Sequence, residues 1–120
     1  MVLCVPVTHD GQVGSWGRAA QVAVADAEAG RLIHSQEFDV GWDALHDAGT
    51  EGSHHARVAR FLREHGVELV VAHHVGPDMA HLLGRMGLAV QPHAAGDARR
   101  TAILAARAVA GPLESLLPAR

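Results

Sequence analysis

Two pairs of adjacent histidines are the residues of this chain best suited to chemistry. His54 and His55 lie in "EGSHHARVARFL", His73 and His74 in "VVAHHVGPDM". Neutral imidazole is the commonest protein ligand for transition metals and suits zinc, copper, nickel and iron. Neither pair has the spacing of an established zinc motif such as H-E-x-x-H, so a shared site requires the fold to bring them together. Gly76, Pro77 and Asp78, just after the second pair, read as a helix start. The free N–H groups and positive dipole end there favour an anion, including the oxygen or sulfide of a cluster. Cys4 falls inside an apolar run and reads as a core thiol. Asp10, Asp26 and Asp78 assure no acidic cluster. A Gly-x-Ser-x-Gly elbow, a phosphate-binding loop and a Cys–His nucleophile pair are all missing, so the sequence makes no positive case for catalysis.

The elements that must position these residues follow from periodicity. "VLCVPV" is a buried strand closed by the turn "THDG". "QVAVAD" and "RLIHSQEF" are two further strands, joined by a short loop containing Gly30, as in a hairpin. Residues 39–52 show no period and several turn formers, which predicts a loop. "SHHARVARFLREHG" places Val58, Phe61 and Leu62 on one helical face, with Ser53 as N-cap and Gly66 as the stop. "VELVVA" is the cleanest strand, apolar throughout, as suits an interior strand covered on both faces. "GPDMAHLLGRMG" follows as a helix with Pro77 in its first position, Met79 and Met86 packed inward, and Gly87 as its end. "LAVQP" is a fifth strand. "GDARRTAILAARAVAG" is a final helix with Ile103, Leu104 and Ala108 on one side. The domain is expected to span residues 1–111, with 112–120 as a tail.

The order β-β-β-α-β-α-β-α defines an α/β class with a five-stranded mixed sheet and helices packed on it. Right-handed crossovers make the fourth strand parallel to the first and fifth and central in the sheet; the hairpin adds an antiparallel edge. A helix leading into a strand of a packed sheet runs antiparallel to it, so His54 and His55 should lie at the edge where His73 and His74 leave the fourth strand. The exits of the first and fifth strands bring His9 and His93 to that same edge. Ligands of open α/β sheets bind beyond the carboxyl ends of the strands. His65 should be remote, and His34 falls in the edge strand. Successive strand residues point to opposite faces, so one member of a pair can be a bystander.

Composition excludes several functions. The chain has 120 residues, a length that fits one domain, with a formal net charge of −3. It contains no lysine and only four aromatic residues, Trp16, Phe38, Trp42 and Phe61. That balance supplies neither a phosphate-backbone footprint nor a base-stacking platform, which argues against nucleic acid. A single cysteine rules out internal disulfides and points to a reducing compartment. No apolar run approaches the roughly 20 residues of a membrane span, and the amino terminus lacks the features of a secretory signal. A soluble, cytoplasmic protein without a membrane partner is expected.

"VPV…GQVGSWGRAAQVAVAD" and "HGVELVVAHHVGPDMAHLLGRMGLAVQP" resemble the dinitrogenase iron–molybdenum cofactor biosynthesis family, the NifX-like proteins, over about residues 1 to 110. Gly17-Arg18-Ala19, Gly76-Pro77 and Gly87 occur in order at fitting spacings. The family's His-Phe-Gly-Arg segment here reads Ser15-Trp16-Gly17-Arg18. Histidines replace small residues after the fourth strand and at the start of the first long helix. The resemblance implies a ribonuclease-H-like three-layer fold. It also implies a non-catalytic role in binding or carrying an iron–molybdenum cofactor or iron–sulfur precursor, with Ser15, Arg18, Gly76, Pro77 and Asp78 at the cofactor.

The leading expectation is therefore a small carrier of a metal ion or iron-containing metallocofactor. Its candidate ligands are His54, His55, His73 and His74, with His9 and His93 in reserve. A protein donor or acceptor of the cofactor is its expected partner, and a second subunit is one source of further ligands. A metal-free protein-interaction or regulatory module on the same fold is the runner-up. A metal-dependent hydrolase comes third, for want of an identifiable general base.

Overall fold

The computed structural model describes residues 1–45 and 49–116, without the side chains of 51 and 109–116. Residues 46–48 of the expected loop and 117–120 of the expected tail lie outside the described residues. The elements are β1 (Val2–Val7), β2 (Gln21–Glu28), β3 (Arg31–Asp39), α1 (Trp42–Leu45), α2 (Glu51–Glu64), β4 (Leu69–Val71), α3 (Pro77–Arg85), β5 (Ala89–Gln91) and α4 (Ala98–Leu116).

The five strands form one sheet in the order β3-β2-β1-β4-β5. β1 is antiparallel to β2 and parallel to β4, with Cys4 opposite Val70, while β4 is parallel to β5, with Val70 opposite Val90. Thus β4 lies inside the sheet between its two parallel neighbours, and β1 is the middle strand of the five. The hairpin turns on Ala29 and Gly30, at φ of 52° and 77°. Positive φ at both central residues is what a two-residue hairpin loop needs to match strand twist.

Strand alternation sorts the core into two layers. Leu3, Val5 and Val7 of β1 face Ala98, Ala102, Ala105 and Ala106 of α4. Cys4 of the same strand faces the other way, toward Val58 and Leu62 of α2 and Met79 and Leu83 of α3. The fold is a three-layer arrangement, with α4 on one face and α2 and α3 on the other. Both faces of β4 are covered, which explains its unbroken apolar sequence.

Three local expectations are corrected. Residues 42–45 of the expected loop form α1, one turn that buries Trp42 to 1% exposure; a single turn is too short to show a period. α2 begins at Glu51 with Thr50, not Ser53, as N-cap. Ser53 is the third helical residue of a capping box, accepting from Thr50 N–H and donating its own N–H to Thr50 Oγ1. Serine replaces the usual Glu or Gln of that motif. On α4 the buried stripe is alanine, while Leu104 is 52% exposed. Small residues let this helix lie close to the sheet, and the larger side chains are displaced to its flank.

Candidate functional site

A cavity of about 790 Å³ opens at the carboxyl end of β4, beneath the loop that follows β1. Its walls include Ser15, Trp16, Gly17 and Arg18 of that loop, Gly49, His54 and His55 at the start of α2, and His74. Gly76, Pro77, Asp78 and Met79, the start of α3, complete it. Helix α2 and strand β4 therefore bring the two histidine pairs to one sheet edge, as their topology requires.

Period-two geometry then divides the second pair. His74 lines the cavity, and its carbonyl accepts from Trp16 N–H at 2.8 Å in an isolated bridge between Ser15 and His74. His73 turns to the α4 side, where Nδ1–H donates to the carbonyl of Ala94 at 3.2 Å. His93, at φ 65°, stands beside it through a backbone bond to the His73 carbonyl. His9 lies in the exposed turn held by Thr8 and Gln12. Neither His73, His93 nor His9 lines the cavity. His65 packs on Phe38 and Phe61 with ring centroids 4.5 and 4.4 Å away, and His34 pairs with Asp26 in the sheet. Among the described residues, no group of three His, Cys, Asp or Glu side chains is placed to hold a metal ion.

The members of the first pair differ in burial. His54 is 2% exposed, with Nε2 2.8 Å from the Gly17 carbonyl and Nδ1 3.0 Å from Arg57 Nη1. A carbonyl only accepts and a guanidinium only donates. These two partners suit the tautomer with its proton on Nε2. His55 is half-buried and lies at the cavity wall.

Two helix N-termini meet the cavity, and they differ. The α2 terminus is closed by its own capping box. α3 has Gly76 as N-cap, no side-chain cap and Pro77 in its first turn. Its first helical bond is Ala80 N–H to the Gly76 carbonyl at 2.8 Å, so the amides of Asp78 and Met79 stand ahead of the ladder. Exposed Arg18 makes no ion pair among the described residues. Among the described residues the wall thus offers a guanidinium, a positive helix end and three imidazoles against one carboxylate, Asp78. This set favours an anion.

Two wall residues entered the sequence reading through the family resemblance and not as site residues. Gly17 sits at φ 85°, and a Cβ there would be 3.2 Å from Met79 Cε. Trp16 is 4% exposed and packs edge-to-face on Trp42 at 5.2 Å. Its Nε1–H is buried without a partner among the described residues. Cys4, by contrast, is the core thiol expected, and burial pushes its pKa well up.

A layered mixed sheet with a donor-lined cavity beyond its parallel strands is the arrangement of a small α/β ligand-binding domain. The chain belongs to the dinitrogenase iron-molybdenum cofactor family, whose profile matches residues 1–108. The fold is similar to the apo form of the orange protein from Desulfovibrio gigas, with a TM-score of 0.69 and 23% identity over 92% of this chain and 88% of that one. It is also similar to the crystal structure of PH0822, with a TM-score of 0.67 and 17% identity over 83% of each chain. At such identities the likeness is one of fold. Comparison with curated proteins finds no significant match. Among the described residues no helix is long and apolar enough to cross a membrane.

Proposed function

We propose that the protein is a small non-catalytic binder or carrier of an anionic metallocofactor, of the iron–molybdenum or iron–sulfur-precursor type. The cargo is received in the cavity between the Ser15–Arg18 loop, α2 and α3. One observation carries this reading: an uncapped helix N-terminus, Arg18 and the imidazoles of His55 and His74 surround one cavity. A metallocofactor bearing oxide or sulfide presents acceptor atoms and negative charge to such a wall, and an imidazole can add a bond to its metal. A carrier of this kind exchanges its load with a protein donor or acceptor.

The test uses untagged protein, because a histidine tag adds binding sites. Metal analysis of the purified protein is paired with a visible-absorption titration by tetrathiomolybdate, an anionic molybdenum–sulfur probe. The parent should bind in the low-micromolar range without turning the probe over. Arg18→Gln and His74→Ala should each weaken binding by about tenfold, the loss of one charge-assisted bond or one ligand. A parent that carries no metal and binds the probe no tighter than the high-micromolar range would overturn the proposal.

A further inference from the structure

His54 lines the cavity, yet the protein itself consumes both of its ring nitrogens. Nε2–H donates to the Gly17 carbonyl at 2.8 Å, and Nδ1 accepts from Arg57 at 3.0 Å. A metal ion at Nε2 would have to displace the carbonyl. A metal ion at Nδ1 would have to displace a guanidinium and then lie beside its positive charge. Both exchanges are unfavourable at a residue only 2% exposed.

The bonded partner explains what the ring does instead. Gly17 is buried, sits at φ 85°, and is followed directly by Arg18 on the cavity wall. One side of this loop is already tied down, because Trp16 N–H donates to the His74 carbonyl at 2.8 Å. The other side reaches α2 through His54. Arg57, one turn further along the same helix, fixes which ring nitrogen carries the proton, so that Nε2 can donate.

We propose that His54 is a positioning residue rather than a ligand: a latch that holds the Ser15–Arg18 loop on α2 and so sets Arg18 and the cavity wall. Its effect on cargo rests on the binding reading above; its effect on the loop does not. Without the imidazole the Gly17 carbonyl loses its buried donor, and the loop is held by the backbone bond of Trp16 to His74 and the packing of Trp16 on Trp42. The roles of the two neighbours thus separate. His54 shapes the wall and His55 faces the cargo.

Two substitutions in the full chain distinguish a latch from a ligand. Gln carries a donor and an acceptor on one terminal amide and can satisfy both Gly17 and Arg57, while Leu can satisfy neither. Tetrathiomolybdate affinity is measured alongside the amide resonances of Gly17 and Arg18. His54→Gln should bind within about threefold of the parent with these resonances in place, whereas His54→Leu should weaken binding by about tenfold and shift or broaden them. Equal loss in both variants would make the imidazole a ligand and overturn the latch, as would parent-like binding and resonances in His54→Leu. If His54→Leu does not fold, His54→Gln alone decides: parent-like binding upholds the latch and lost binding overturns it. If the parent binds no probe but only His54→Leu disturbs Gly17 and Arg18, the latch stands and the cargo reading falls.

Discussion

Gly17→Ala should be far more damaging than Gly76→Ala, a single-methyl addition at the same cavity wall. The backbone there is left-handed, at φ 85°, where a Cβ costs about 1–2 kcal/mol against its following carbonyl. The new methyl would also stand 3.2 Å from Met79 Cε and 3.8 Å from His54 Nε2. The end of the Met79 side chain can retreat by a few tenths of an ångström, so this contact adds little more than ~0.5 kcal/mol. Ala also narrows the unfolded ensemble relative to Gly, which returns about 0.4–1 kcal/mol. The net expected loss is about 0.5–2 kcal/mol, or a fall in Tm of about 2–8 °C in a domain of this size. Gly76→Ala is the control. Gly76 has φ −65°, open to any residue, and a Cβ there meets nothing within 4 Å. Urea denaturation of both variants and the parent is the measurement, with unchanged m-values required for a two-state comparison. If the two variants differ by less than about 0.5 kcal/mol, the ordinary scatter of surface changes, the turn at Gly17 is not under the constraint described here.

The remaining predictions concern the two faces of the sheet and the thiol between them. Leu83 is fully buried beside Val58 and Leu62, so Leu83→Ala should cost about 2–5 kcal/mol; Leu104→Ala, at a half-exposed position, should stay within about 0.5 kcal/mol. Equal costs, read from denaturation midpoints, would contradict the assignment of the α4 core stripe to alanine. Burial disfavours the charged form of Cys4, so its folded-state pKa lies above its unfolded value. Its contribution is fully present below the unfolded thiol pKa of about 8.5 and shrinks by about 1.4 kcal/mol per pH unit above it. The chain has no lysine or tyrosine, so besides the amino terminus little else titrates there. Stability at about pH 10 should therefore fall below that at about pH 8, and Cys4→Ala should flatten the decline. An alkaline slope unchanged by that substitution would show the decline to have another source.

The sheet and its parallel core were legible because their signals are local and periodic. "VELVVA" is apolar at every position because both faces of β4 are covered, and Gly76-Pro77 marks a helix start by the fixed φ and missing N–H of proline. The same periodicity implied that His73 and His74 must part company. It could not say which faced the cavity, because that depends on which side of the sheet receives α3. Likewise, Gly17 and Gly76 look equally special in a sequence. Only the backbone shows that one occupies left-handed space against Met79 and the other does not. His54 and His55 are identical side chains on one helical turn, and the sequence could only offer both as ligands. What ties His54 to the fold is the approach of the Gly17 carbonyl from 37 residues away and of Arg57 from the next turn. Local sequence determined that imidazoles would crowd this sheet edge, because helix and strand directions follow from patterning. That the His54 ring is tied to the Gly17 carbonyl was decided only by tertiary structure, because hydrogen-bond partners distant in sequence meet only once the layers have packed.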